Sequence, residues 1–284
     1  MSTLCVNWIC VFLAFLTKNG RVFFYTVLTG YDVIIGSPFE EETVLSREIG
    51  AKIDWELPNG ARARTNATLY WQDYDDIQKT QTDQTIGFGT ITVNAAEATI
   101  RGAEVELLLE PLRGLEIALN YSYIDAFYEE WMVPDPALVI PFGPPAPLID
   151  VSDRPFVWIP EHSLTASVGY ELPLPTEFGS VRLQARAYHQ SEVFIQDGVE
   201  VYNLPGIDNG PLNDSLREAA YTIIDYRLTW TGIFQSGFDA AVWVNNATDR
   251  EYATGGLNVL DSLGWAANVY GPPRTIGASL RYSF

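Results

Sequence analysis

Two histidines, His162 and His189, and two cysteines, Cys5 and Cys10, are all the imidazole and thiol chemistry in these 284 residues. A zinc-type Cys/His cluster cannot be built from them. A disulfide scaffold is excluded for everything after Cys10. In Tyr188-His-Gln-Ser191, His189 and Ser191 lie two apart. On a strand both side chains then point the same way, and His with Ser is a pairing that nucleophilic catalysis uses. Asn203 follows 14 residues after the histidine. His162-Ser163 is a poorer pair, because adjacent strand residues face opposite sides. A second set is aromatic. Tyr128, Trp131, Phe142, Phe156 and Trp158 fall in or beside residues 129–161, which hold eight of the 17 prolines. Such rings can stack on a ligand or simply pack the loop.

The chain carries 17 Lys+Arg against 36 Asp+Glu, a net charge of −19. That argues against a nucleic-acid binder, which needs a basic surface. It also disfavours a stand-alone sensor of anionic headgroups. Hydrophobic content of 47% argues against global disorder. No apolar run reaches the roughly 18 residues of a membrane-spanning helix.

The elements that must position these residues have period two, the strand period. Over 45–57 the odd positions Leu45, Ile49, Ala51, Ile53, Trp55 and Leu57 are apolar, and Ser46, Glu48, Lys52, Asp54 and Glu56 oppose them. Arg47 breaks the odd series. The same alternation recurs in 61–71, 103–110, 115–123, 163–170, 181–187, 224–230, 238–245 and 275–284. This predicts nine strands of about ten residues, with a further one at 22–35 on β-propensity alone. Lys52, Arg62, Arg64, Glu104, Glu106, Arg182, Arg186, Asp225, Arg227, Asp239 and Arg281 fall on the polar faces. No amphipathic helix of useful length is present.

The connections alternate in length. Short turns are expected at 58–60, 111–114, 173–179 and 231–236, and long loops at 78–95, 129–161, 196–220 and 246–272. Long strands, short turns on one side and long loops on the other fit a transmembrane β-barrel. Aromatics near strand ends (Trp55, Tyr70, Trp71, Tyr74, Tyr123, Trp230, Tyr282) suit a girdle. A soluble sandwich also alternates, but its strands are shorter and a charged face of both signs suits a wet lumen.

Residues 1–37 differ from the rest. They contain Lys18, Arg21 and a single acid, Asp32. The apolar run Leu4–Leu16 has the length of a signal-peptide core, yet the basic residues follow it rather than precede it. The readings are a signal, a strand, or a start foreign to the segment 38–284 behind it.

Several stretches then resemble one family. The chain ends on Ile276, Ala278, Leu280, Tyr282 and Phe284, which resembles the C-terminal assembly signal of bacterial outer-membrane proteins. Asn245-Asn-Ala-Thr-Asp-Arg-Glu-Tyr252 is similar to the Asn-Leu-Phe-Asp-x-x-Tyr stretch of TonB-dependent receptors. Asn246 and Ala247 replace that stretch's Leu and aromatic residue. Gly271-Pro-Pro-Arg274 resembles the lead-in to their final strand. Glu48–Lys52, Tyr74–Gln78, Arg101–Glu106, Gly114–Tyr123 and Ile159–His162 match in order. The resemblance covers roughly 39–284 and is of the siderophore-receptor type. Such receptors have an N-terminal plug, a TonB-contacting box and about 22 strands. Neither plug nor box is found here, so the resemblance is to the C-terminal barrel part, an open arc or a small closed barrel.

The resemblance implies an all-β antiparallel meander in the Gram-negative outer membrane, inserted by the barrel-assembly machinery and surrounded by lipid. It implies uptake of a scarce ligand, most often a ferric siderophore, with TonB engaged only through the absent plug, so the segment is expected to be a receptor fragment not competent for uptake alone. Trp131, Phe142, Phe156 and Trp158 become ligand-loop candidates. The charges named above become lumen-facing. No resident cofactor or metal is implied. The His189, Ser191, Asn203 arrangement resembles outer-membrane phospholipase A, where they would be base, nucleophile and orienting residue. Glu192 and Val193 replace the Asn and Gly expected after that serine. A passive pore and a non-functional receptor remnant are further alternatives.

Overall fold

The computed structural model describes residues 2–6, 9–17, 39–57, 60–83, 89–135, 138, 140, 143–195, 217–258 and 266–284. In chain order its strands are β1 (Ser2–Val6), β2 (Ile9–Thr17), β3 (Thr43–Glu56), β4 (Arg62–Asp83), β5 (Gly89–Leu112), β6 (Leu115–Pro134), β7 (Leu148–Asp150) and β8 (His162–Glu171). They continue with β9 (Ser180–Gln190), β10 (Val193–Phe194), β11 (Arg217–Glu218), β12 (Tyr221–Thr231), β13 (Phe238–Asn245), β14 (Ala253–Asn258), β15 (Ala266–Tyr270) and β16 (Thr275–Tyr282). Helical structure among the described residues is confined to short 3₁₀ turns such as Thr176–Phe178 and Ile233–Gln235.

One antiparallel meander dominates, in the order β1-β2-β3-β4-β5-β6-β8-β9-β12-β13-β16. Small hairpins β10–β11 and β14–β15 stand apart from it. All nine strands expected from the alternation lie in this path. The hairpin β1–β2 joins it through β2, with Ile9 opposite Ile53 and Thr17 opposite Leu45. The strand expected at 22–35 lies outside the described residues. Between β1 and β16 no pairing occurs among the described residues, so the sheet is an open arc.

Directly opposed residues share a face, so the register fixes two faces across the sheet. One row reads Ile49, Leu69, Ala103, Tyr123 and His162. Another reads Tyr170, Leu183, Leu228, Val242 and Ala278. This face is apolar and holds most of the exposed large hydrophobic side chains, including Ile276 and Leu280. The opposite face is charged. Arg64 bonds Asp54 at 2.6 Å, Arg182 lies 3.6 Å from Glu116, and Arg186 lies 3.4 Å from Asp225. Arg182 crosses directly over Gly169, where a Cβ would collide with its guanidinium.

Three expectations need correction. Residues 78–95 are mainly strand, because β4 and β5 run on as a ladder to Asp83 and Gly89. On the β4 side Gln78–Asp83 is uniformly polar, so no periodicity marks that continuation, whereas in β5 Ile91, Val93 and Ala95 still alternate with Thr92 and Asn94. Tyr70 and Tyr74 belong to the charged face, Tyr70 lying over Gly102 and Tyr74 opposite Ala98, so neither joins an apolar-face girdle. The last strand ends at Tyr282, two residues before Phe284.

Candidate functional site

The described parts of the long connections meet at one end of the sheet. There Tyr128 and Trp131 of β6 lie three residues apart yet pair with Ala98 and Ala96. A register shift between Glu97 and Ala98 supplies the extra residue. Such a bulge re-aims the side chains that follow it. It brings Trp131 onto the face of Tyr128, where strict alternation would send it to the other side. Ala96 and Ala98 leave room for the rings and are buried beneath them.

Both rings are themselves buried, Trp131 to 5% exposure. Phe156 stacks on Tyr128 at 4.1 Å and 9°. The Lys79 ammonium donates to the Tyr128 hydroxyl at 2.7 Å and stands 4.1 Å from the centre of the Trp131 ring. The Arg154 guanidinium lies 5.5 Å from the same ring. The indole Nε1–H of Trp131 is buried without a hydrogen-bond acceptor.

Strand β7 straps this cluster to β6, with Val151 N–H donating to the Trp131 carbonyl at 2.8 Å. The Asp150 carboxylate accepts the backbone N–H of Trp131 at 3.2 Å and of Ser152 at 3.0 Å. These bonds, with one from the Ser152 hydroxyl, hold its carboxyl below the usual aspartate range. The strap continues to Val157, bridged to Phe194, and to Trp158, whose N–H donates to the Phe194 carbonyl at 2.9 Å. Phe194 pairs with Arg217, and the neighbouring Glu218 accepts the Ala253 N–H at 2.8 Å and an Arg250 N–H at 3.3 Å. Segments 148–158, 193–195, 217–218 and 250–253 thus interlock.

The Asn245–Tyr252 and Gly271–Arg274 motifs meet. Asn246, 3% exposed and in the left-handed region, donates to the carbonyls of Arg250 and Pro272 and accepts the Arg250 N–H. Its own N–H donates to Asp225 at 2.9 Å. Asp249 accepts from Arg274, and the Tyr252 ring covers Gly271 so closely that a Cβ there would collide with it. Sequence reasoning found these residues through family motifs and did not find their joint structural work.

The other expected residues fall as follows. Trp131 and Phe156 pack within the strap, while Trp158 remains 39% exposed. Phe142 and Asn203 lie outside the described residues. On the charged face Arg62 pairs with Glu110, Glu106 accepts from Asn66 at 2.7 Å, and Glu104 stands opposite Thr68 and Ser122. Arg227 lies over Trp243 at 5.3 Å, and Arg281 stands opposite Asp239. His189 and Ser191 are engaged separately. The His189 ring meets Thr222 Oγ1 at 3.0 Å, and Ser191 Oγ accepts the His162 N–H at 3.0 Å. Among the described residues no group of three or more His, Cys, Asp or Glu is arranged to hold a metal ion.

Residues 16–247 match the family model described as TonB dependent receptor-like, beta-barrel. The fold is similar to the ferric yersiniabactin uptake receptor FyuA of Yersinia pestis, at TM-score 0.65 and 18% identity, over 98% of this chain and 35% of that one. It is similar to the ferripyoverdine receptor of the Pseudomonas aeruginosa outer membrane, at 0.61 and 18%, over 97% and 31%. BauA, the ferric preacinetobactin receptor of Acinetobacter baumannii, matches at 0.60 and 14%, over 98% and 35%. The chain therefore spans about a third of the length of the solved structures it matches. At these identities the likeness is one of fold.

Proposed function

The chain belongs to the TonB-dependent receptor β-barrel family, and on that premise we propose that it supplies part of the wall of a receptor that takes up a ferric siderophore. The family's members are outer-membrane proteins of Gram-negative bacteria, and family and fold are those of transport receptors. The observation that carries the proposal is the interlocked aromatic and cationic layer over one end of the charged face. A charged, water-filled interior capped by such a layer suits capture of a polar ligand bearing aromatic or anionic groups. The ferric siderophores named for the similar receptors support the ligand class.

In this reading Trp158 meets the ligand, Trp131 and Phe156 support its platform from beneath, and Phe142 is added from sequence alone. Arg62, Arg64, Glu104, Glu106, Arg182, Arg186, Asp225, Arg227 and Arg281 face the lumen. Ile276, Leu280, Tyr282 and Phe284 form the signal read by the barrel-assembly machinery. Residues 38–284 form the barrel segment, and TonB acts through a plug contributed by the whole receptor.

The test is uptake of radiolabelled ferric siderophores by receptor-null cells expressing the polypeptide that carries this chain. Uptake that disappears when TonB is deleted is the expected result. Uptake indifferent to TonB, or a steady conductance in planar bilayers, would instead make the protein a passive pore.

A further inference from the structure

The apolar face of β3–β6 carries no Asp, Glu, Lys or Arg from the Ala61 level to the row Ile49, Leu69, Ala103, Tyr123. The next row reverses this abruptly. Arg47, Trp71, Arg101 and Asp125 stand side by side, with Leu45, Asp73, Thr99 and Phe127 above them. From Ala61 to Trp71 the strand rises about 33 Å at ~3.3 Å per residue. At the usual ~40° tilt that is about 25 Å of height, the height of a barrel's lipid-facing band. The charged row therefore stands at the border between acyl chains and head groups. The short turns lie at the other end of the sheet, so this border is the loop side, which is the external one.

The row is rigidly built. Arg101 Nε and Nη2 both reach Asp125 at 2.7 Å. Its guanidinium lies 5.4 Å from the ring centres of Trp71 and of Phe127. Arg47 Nη1 bonds Asp73 at 2.6 Å, and Trp71 Nε1 donates to the other oxygen of that carboxylate at 2.7 Å. The two arginine side chains remain 50% and 46% exposed. A guanidinium has five donors in a planar fork, so each keeps donors beyond those its aspartate takes. That fork matches phosphate oxygens. The flanking Tyr123 and His162 rings, 5.2 Å apart and tilted by 33°, supply the amphipathic surface found at membrane borders.

We infer that this outward row docks the phosphate-bearing head group of an outer-leaflet lipid. The aspartates cancel the row's formal charge, and the chain's net −19 offers no long-range attraction. Recognition therefore rests on directional donors at contact rather than on steering. The inference uses only the lipid-facing direction of this surface and is independent of the uptake proposal.

The experiment uses the full chain refolded in detergent and native mass spectrometry. Each sample receives a phosphorylated glycolipid and its dephosphorylated counterpart in equal amounts. Preferential retention of the phosphorylated lipid is expected. The R47Q/R101Q pair should lower that preference by about five-fold per arginine, while R113Q, at a turn on the opposite end, leaves it unchanged. R101K keeps the charge and loses the fork, so it falls between wild type and the glutamine variant. It also decides the matter if R47Q/R101Q fails to regain wild-type electrophoretic mobility. Equal retention of both lipids overturns the inference, as does an equal effect of R113Q. Displacement by millimolar inorganic phosphate would mark a free-anion site and overturn the lipid assignment.

Discussion

The Asp249 carboxylate clasps Arg274 twice, taking its backbone N–H at 2.9 Å and its guanidinium at 3.3 Å. It thereby ties the end of β13 to the start of β16 across 25 residues of chain. The two contacts differ in worth. As an ion pair the side chains are each 48% exposed, which leaves under about 1 kcal/mol. The backbone contact satisfies the N–H of the residue that leads into β16. Asp249→Ala should therefore cost about 1–2 kcal/mol, and Arg274→Ala no more than about 1 kcal/mol. Urea unfolding of the refolded chain measures both. An equal or reversed order would mean that the backbone contact contributes nothing.

Asn246 is the deeper fastening of the same corner. It is buried, and its side-chain amide serves three backbone groups. Asn246→Ala would leave the Arg250 N–H and two carbonyls without a partner and force alanine into a positive φ. A loss of about 2–4 kcal/mol is expected, exceeding that of Asp249→Ala. The same unfolding series tests it, and a loss below 1 kcal/mol contradicts it.

How far this fold could be read beforehand depended on where water stops. Leu164, Ala166 and Val168 alternate with Ser163, Thr165 and Ser167 because one face meets lipid and the other does not. That contrast makes register legible over the band. Above it the contrast vanishes on the β4 side, so Gln78–Asp83 read as loop and proved to be strand. Trp131 was legible as an aromatic loop residue but not as a buried one. Its placement turns on one bulge near Glu97, which no spacing announces. The Asn245–Tyr252 and Gly271–Arg274 stretches were legible only as family motifs. Their meaning needed the 25-residue contact that joins them.

Trp131 separates packing from polar satisfaction. Its indole fills the space over Ala96, while its Nε1–H has no acceptor. Trp131→Phe keeps most of the ring and removes the orphan donor, so it should cost under about 1 kcal/mol or stabilise. Trp131→Ala removes the ring and should cost about 3–5 kcal/mol. Protease resistance of the 148–158 strap follows the same order. A large loss in Trp131→Phe would show that the N–H is satisfied in solution by water or ligand.

The strap should also loosen in acid. Asp150 is held below the ordinary carboxyl range chiefly by the Trp131 N–H, then by the Ser152 N–H. A depressed folded value means that the carboxylate stabilises the strap at any pH above its unfolded pKa. That contribution disappears as pH falls through the still lower folded value. The window therefore lies below about pH 4. Hydrogen exchange at the Trp131 and Ser152 amides should accelerate, relative to strand amides such as Ala166, as pH drops from 5 to about 3. Asp150→Asn cannot ionise, so its relative exchange should be flat across the same interval. A flat wild-type profile, or an identical slope in the asparagine variant, would place the strap's stability in the Tyr128–Phe156 stack alone.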